Sequence, residues 1–240
     1  MNTRFTLMLS RKVTIVIPSK NEGVTLHETL RYLSEQIGIA GTNVIIADSS
    51  DQYWSTLWLH KAQSDYKNLN IGIIQGGYPS EARLKGSKLV TTPFILFLDA
   101  DIFLKNKWAI NEAIKCDKGL VTVPFTTDRP YRWVFKCFDM FQSISALLGT
   151  PFAVGGFQLF KTDLYWKIGG YNPEELFAED YSLSNKVNRK DFKVANVKNV
   201  YTSPRRFQKK GVFWMFQIMI KSYINRNNPQ FFKEHHGYWN

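Results

Sequence analysis

The stretch Phe94-Ile-Leu-Phe-Leu-Asp-Ala-Asp-Ile-Phe103 constrains this chain more than any other. It follows a proline and opens with five apolar residues. Such a run fits a strand buried on both faces, as in a parallel sheet. It ends in Asp99-Ala100-Asp101. Residues two apart in an extended chain point to the same side, so two carboxylates are expected side by side at the mouth of a buried strand. They repel each other and resist desolvation unless something compensates them. A divalent cation does so through hard oxygen ligands, and Mg²⁺ or Mn²⁺ often bridges such ligands to phosphates. The competing reading is an Asp-rich helix start, because Asp is a favoured cap.

The rest of the chain surrounds that strand with similar units. Val13-Thr-Ile-Val-Ile-Pro18 is β-branched and stopped by proline, which predicts a first buried strand. The polar loop Ser19-Lys-Asn-Glu-Gly23 follows, and then Leu26, Leu30 and Leu33 at helical spacing. Residues 43–47 predict a second strand running into Asp48-Ser-Ser-Asp51, with Trp54, Leu57 and Trp58 opening a helix. Residues 70–74 predict a third strand, and residues 80–89 a short helix carrying Arg83 and Lys85. This alternation implies a mostly parallel sheet with helices on both faces. Ligands of such sheets lie outside the carboxyl ends of the strands, where Glu22, Asp48, Asp51, Asp99 and Asp101 converge. No Gly-rich dinucleotide fingerprint or Walker loop is present.

Beyond Asp101, helices are expected over 107–115, 131–148 and 162–168, and strands over 119–124 and 155–161. A loop from Tyr171 then delivers Glu179 and Asp180 to a helix over 181–187. Those two acids also suit the positive end of that helix, with no further role.

Two hundred and forty residues with 44% hydrophobic content suit one large domain, and a formal charge of +11 predicts anionic partners. Cys116 and Cys137 lack metal-site spacing and read as reduced thiols, with a single disulfide left open. The first ten residues lack the long apolar stretch of a signal peptide, and no run approaches the roughly 20 apolar residues of a membrane span. The expected location is cytoplasmic, or peripheral on the cytoplasmic face of a membrane. No RNP, KH or zinc-finger pattern supports nucleic-acid binding.

Taken in order, these motifs resemble a family 2 glycosyltransferase of the GT-A fold. The resemblance covers roughly residues 13–206 and rests on Val-Ile-Pro-Ser-Lys-Asn-Glu22, Ala-Asp48-Ser-Ser-Asp51, Ser-Glu-Ala-Arg83-Leu-Lys-Gly86, Phe-Leu-Asp99-Ala-Asp101, Val-Gly-Gly156-Phe, and Ile-Gly-Gly-Tyr171 leading to Ala-Glu179-Asp180. It implies a nucleotide-diphospho-sugar donor, with UDP placed ahead of GDP, a Mn²⁺ or Mg²⁺ ion, and inversion at the anomeric carbon. By position, Pro18 and Glu22 would line the nucleoside pocket and Asp48 would meet the base. Arg83 would lie near the base or the diphosphate. Asp99 would face the ribose or the metal, and Asp101 would ligate the metal. Asp180 matches the catalytic base, with Glu179 and Gly156 on the acceptor side. The resemblance also implies a division into a nucleotide-binding half, 13–101, and an acceptor-binding half, 102–210, within a domain spanning 1–210.

Two departures are informative. Processive members carry Gln-x-x-Arg-Trp after the base, whereas this chain reads Thr-Ser-Pro-Arg205-Arg206-Phe-Gln-Lys-Lys210, which favours a single transfer. Arg205 and Arg206 are candidates for phosphate contacts, since guanidinium forks pair well with phosphate oxygens, or else form a solvated basic loop. The second loop reads Asp-Ser-Ser-Asp where the family has Asp-Gly-Ser-x-Asp, which leaves the base preference open.

Residues 211–240 read as a C-terminal aromatic, basic helical extension. Val212-Phe-Trp-Met-Phe-Gln-Ile-Met-Ile220 is too short to span a membrane and is flanked by cations. It fits a helix at an anionic membrane surface or one packed internally. In the first case the aromatic segment 131–148 would join it, and the acceptor would be a lipid-linked sugar rather than another glycan. Two other functions compete. A nucleotidyltransferase would need a Gly-rich basic loop near the first strand, which is absent. A non-catalytic nucleotide-sugar or membrane-binding module would tolerate loss of Asp99, Asp101 and Asp180, all of which are present.

Overall fold

The computed structural model describes residues 8–128 and 130–237. Residues 1–7, with most of the N-terminal apolar patch, lie outside it, as do Arg129 of the 125–132 loop and the last three residues of the C-terminal segment. Strands β1 (Val13–Ser19), β2 (Thr42–Asp48), β3 (Leu69–Gln75) and β4 (Phe94–Leu98) run parallel. Helices α1 (Gly23–Ser34), α2 (Tyr53–Asp65) and α3 (Pro79–Ser87) connect them. The chain continues through β5 (Ile102–Leu104), α4 (Ala109–Ile114), β6 (Leu120–Thr122), α5 (Arg132–Leu147), β7 (Phe157–Lys161), α6 (Thr162–Lys167) and α7 (Glu179–Ser184). It closes with β8 (Phe192–Val194), β9 (Val200–Thr202), α8 (Arg205–Lys210), α9 (Val212–Ile224) and α10 (Pro229–Phe232).

A seven-stranded sheet has the order β3-β2-β1-β4-β7-β6-β8. β7 is antiparallel to both β4 and β6, so the sheet is mixed at one side. One sheet therefore runs through both expected halves of the chain. Strand alternation sorts its side chains between two cores. Ile15, Ile17, Leu96 and Leu98 meet α1 and α5 on one face, whereas Val16, Ile95 and Phe97 meet Leu84, Tyr165 and Leu183 on the other.

The 94–103 stretch is not one strand. β4 ends at Leu98, and the Ile102 N–H bonds to the Asp99 carbonyl at 3.2 Å, closing a turn. Asp99 and Asp101 are thus brought together by a turn, not by strand pleating. The chain then leaves the sheet as β5, which pairs antiparallel with β9. Glu179 and Asp180 lie in the first turn of α7 rather than ahead of it. In α2 the buried residues are Ser55, Leu59 and Ala62, while Trp54 and Leu57 face outward. The Ser55 hydroxyl is drawn inward by the Gly23 N–H.

Three helices close the described chain, and Gly211, with φ 82°, ends the basic α8 before the apolar α9 begins. Met215 packs into the core of the sheet's α5 side. The Phe232 carbonyl accepts the N–H groups of Leu176 and Phe177, tying α10 to the loop before α7. Cys116 and Cys137 are both free thiols.

α3 lies against β1 without a spacer: a Cβ at Gly86 would fall 2.4 Å from Val16 Cγ1. Gly86→Val should force these elements apart and lower stability by about 1–3 kcal/mol, as overpacking does. The measurement is the midpoint of urea unfolding.

Candidate active site

The parallel strands β1, β2 and β4 end at one edge of the sheet, and antiparallel β7 begins there, so four chain segments deliver polar residues to one place. A cleft of about 1030 Å³ occupies that edge. Pro18, Glu22, Arg83, Asp99, Asp101, Gly156, Asp180, Arg205 and Arg206 all line it. Asp48 does not; Ser49 lines it instead, while the Asp48 carboxylate accepts the Ser50 hydroxyl at 2.8 Å.

Arg83 sits beneath the site, only 3% exposed. One terminal nitrogen donates to Asp99 Oδ1 at 2.7 Å and the other to Glu179 Oε1. Its guanidinium carbon lies 5.3 Å from the centre of the Tyr171 ring. Burial acts against its charge, but the surrounding Tyr171, Asp99, Glu179 and Asp180 raise its pKa well above the usual range. Both terminal nitrogens are thus engaged inside the protein. Glu179 is equally committed: it faces inward to Arg83 and is buried.

Asp180 points the other way. Its two oxygens accept backbone N–H groups, Oδ2 from Gly155 at 2.6 Å and Oδ1 from Tyr181 at 2.8 Å. Glycine at 155 leaves room for this approach: a Cβ there would lie 2.9 Å from Arg83 Nη2 and 3.2 Å from Asp180 Oδ2, so those side chains would have to shift. Burial pushes the Asp180 carboxyl up to about 7, helped by Glu179 and opposed by Arg83 and the two N–H bonds. Ala178, just ahead, holds a left-handed conformation at φ 46° and ψ 36°. Such backbone strain in a residue with a Cβ is characteristic of functional loops.

At the opposite wall, burial pushes Asp101 up to about 6, and Asp99 adds to the rise. Arg205 reaches over from α8 and donates to Glu22 at 2.8 and 3.0 Å and to Asp101 at 3.3 Å. Arg206 adds positive charge that acts on Asp101 in the same sense. The cleft also has a hydrocarbon half, absent from the motifs, lined by Phe138, Phe152, Phe177, Met215 and Ile218. The signal was the apolar character of segments 131–148 and 212–220, which by itself does not distinguish a cleft wall from core.

The sequence matches the family model described as glycosyl transferase family 2 over residues 14–169. No curated protein sequence matches it. Solved structures do. A mannosyltransferase from Pyrobaculum calidifontis, in complex with GDP-Man and Mn²⁺, aligns at 16% identity and TM-score 0.66 over 88% of this chain and 64% of that one. S. aureus TarS 1-349 with UDP-GlcNAc aligns at 20% identity and TM-score 0.60 over 80% of this chain and 58% of that one. Glucosyl-3-phosphoglycerate synthase from Mycobacterium tuberculosis, with Mn²⁺, UDP and glucosyl-3-phosphoglycerate, aligns at 12% identity and TM-score 0.55 over 87% and 80%. The chain spans less than two thirds of the first two structures. These likenesses establish the fold as the GT-A arrangement of a mostly parallel sheet surrounded by helices.

Removing Arg83 would leave Asp99 and Glu179 facing each other without a cation. Arg83→Met should cost about 3–5 kcal/mol, the usual penalty for breaking a buried ion pair from one side. Arg83→Lys should restore only part of it, because one ammonium lacks the two-pronged reach of a guanidinium. Chemical denaturation of the three proteins measures both differences.

Proposed function

The chain belongs to glycosyl transferase family 2, and from that premise we propose that it moves one sugar from a nucleotide-diphospho-sugar to an acceptor hydroxyl, with inversion at the anomeric carbon. UDP is placed ahead of GDP as the carrier, a hexose as the sugar, and a cell-surface glycan precursor or lipid-linked sugar as the acceptor. The similar structures hold GDP-Man or UDP-GlcNAc, which supports the donor class. The observation that carries the reading is Asp180, a carboxylate held by two backbone N–H groups in the same cleft as Asp99 and Asp101.

A sugar hydroxyl is a poor nucleophile at neutral pH. Asp180 would accept its proton while the oxygen attacks the anomeric carbon and the nucleoside diphosphate departs. A carboxyl pushed up to about 7 is a stronger base than an ordinary carboxylate, and it is half ionised near neutrality and mostly ionised above it. Because a single displacement suffices, no protein nucleophile is required. Pro18 and Glu22 would bound the nucleoside, with Asp48 supporting the loop beside the base. Arg83 would act through Asp99 and Glu179, holding both in place. Arg205 and Arg206 would meet phosphate oxygens.

Asp101 and Asp99 would hold the Mn²⁺ or Mg²⁺. Their oxygens suit a hard cation, and a cation would offset the burial and the Asp99 charge that raise the Asp101 carboxyl. Among the described residues no group of three or more His, Cys, Asp or Glu side chains forms a complete metal cage. Phosphate and water oxygens would complete the shell, as these ions readily accept. When bound, the metal supplies charge stabilisation to the departing diphosphate. Among the described residues no helix is long and apolar enough to cross a membrane. The apolar and cationic α8–α9 segment supports a peripheral place on the cytoplasmic face of an anionic membrane.

Asp180→Asn should reduce turnover by about 10²–10⁴-fold while leaving donor affinity nearly intact, the usual loss for a positioned base. Turnover measured with a panel of UDP- and GDP-sugars plus Mn²⁺, beside donor affinity by calorimetry, tests both halves. Normal turnover in the variant would remove Asp180 from this role. Because the ionised form is required, the wild-type rate should decline as pH falls through about 7, and chelation of the metal should abolish it.

A further inference from the structure

The cleft changes chemistry along its length. Around Asp99, Asp101 and Glu22 its walls are carboxylates. Past Asp180 they become hydrocarbon: Phe138 from α5, Phe152 and Val154 from the loop before β7, and Met215, Ile218 and Met219 from α9. A sugar presents hydroxyls at most of its positions and gains little from such walls, since buried hydroxyls without partners cost free energy. An alkyl chain gains roughly 0.8 kcal/mol for each methylene buried there. Lys209 and Lys210 also line the cleft, on the helix that leads from the carboxylate end into α9.

The helices forming the apolar wall carry a second apolar face. Trp133, Met140, Ile144 and Leu147 on α5 are exposed, with separations of seven, four and three residues. Phe213, Ile220 and Ile224 on α9 are exposed with separations of seven and four. At 3.6 residues per turn each set forms one stripe. α5 and α9 are neighbours through Phe138 and Phe216, whose ring centres lie 5.7 Å apart. Exposed cations flank the stripes, Arg132 and Lys136 on α5 and Lys221 on α9. Apolar stripes edged by cations suit contact with an anionic lipid surface.

Resting on the transferase reading above, we propose that the hydrocarbon half of the cleft is a chain-binding groove and that the acceptor is a lipid with a phosphate-bearing head. Its chain lies against Phe152, Val154, Ile218 and Met219, and its phosphate lies at Lys209 and Lys210. Its sugar hydroxyl reaches Asp180. The charge sequence of the cleft selects this occupant: cations beside hydrocarbon match a phosphate joined to a chain.

The test is calorimetric titration of the full chain with decyl phosphate and decyl maltoside, both below their micelle concentrations, and with inorganic phosphate. Decyl phosphate should bind at least about tenfold more tightly than either of the others, a difference of about 1.4 kcal/mol. Met219→Asp should weaken decyl phosphate by a similar factor while UDP with Mn²⁺ binds as in the wild type, which also reports that the variant is folded. The milder Met219→Gln should weaken it less. Lys209→Ala with Lys210→Ala should erase the preference for the phosphate over the maltoside. Equal binding of inorganic and decyl phosphate would overturn the groove and assign the anion site to free phosphate. So would unchanged affinity in Met219→Asp. A stable dimer by light scattering that decyl phosphate fails to dissociate would assign the apolar face to a second copy and overturn the proposal. Loss of UDP binding in the wild type, with decyl phosphate still bound, would defeat the transferase reading and leave the groove standing.

Discussion

The ion pairs of Arg83 are the constraint on which the rest of the site depends. The guanidinium comes from α3, Asp99 from the turn after β4, and Glu179 from the first turn of α7. Those elements lie 16 and 96 residues from it in the chain. One side chain therefore joins the parallel part of the sheet to the segment that presents Asp180. Taking a guanidinium out of water is expensive, and partners at its two terminal nitrogens offset that cost here, while Nε is buried without a hydrogen-bond partner among the described residues. Here two carboxylates and an aromatic ring surround it. Because Glu179 is spent on Arg83, its neighbour Asp180 on the same short helix is turned outward to the cleft with no side-chain cation bound to it directly.

That division of labour between adjacent acids explains the electrostatics. Asp180 lies near Arg83, which lowers its pKa, yet burial and the charge of Glu179 raise it further than Arg83 and two N–H bonds can reverse. The Tyr171 hydroxyl donates to Gln158, and Gln158 in turn donates to the Ala153 carbonyl at 2.7 Å and the Asp180 carbonyl at 3.3 Å. The backbone around Asp180 is thus fixed from below by neutral groups, which leaves the carboxylate charge uncancelled. Gly155 completes the arrangement by allowing its own N–H to approach the carboxylate where a side chain would displace the Arg83 guanidinium.

Much of the sheet could be read from residues alone because its strands are long and strongly biased. Val13 to Pro18 and Phe94 to Leu98 are apolar runs ended by a proline or an acid, and Leu26, Leu30 and Leu33 mark one helix face. The strands β5, β8 and β9 have three residues each, too few to show a period. Missing β5 is what made Asp99 and Asp101 look like neighbours on one strand, when a turn closed by a backbone hydrogen bond sets them. The acids themselves are legible, since carboxylates after the neighbouring strands β2, β1 and β4 converge by topology. Their ion pairs are not, even though Arg83 is named by its motif: nothing in the local sequence separates Arg83, which is buried, from Lys85, which pairs with Glu81 at the surface. The choice is made by contacts to residues far away in the chain.

The two arginines that compensate the acidic cleft differ in how readily they can be displaced, and burial decides it. Arg83 is buried between its partners, so separating it would strand charge in a medium that solvates it poorly. The Arg205 side chain is 52% exposed, against 4% for Arg83. Pairs of that kind contribute about 0–1 kcal/mol, because water replaces the lost partner at little cost. A divalent cation or a phosphate arriving in the cleft therefore meets little resistance in moving Arg205 and a great deal in moving Arg83. The same count of ion pairs gives a fixed foundation on one side of the carboxylates and an exchangeable cover on the other.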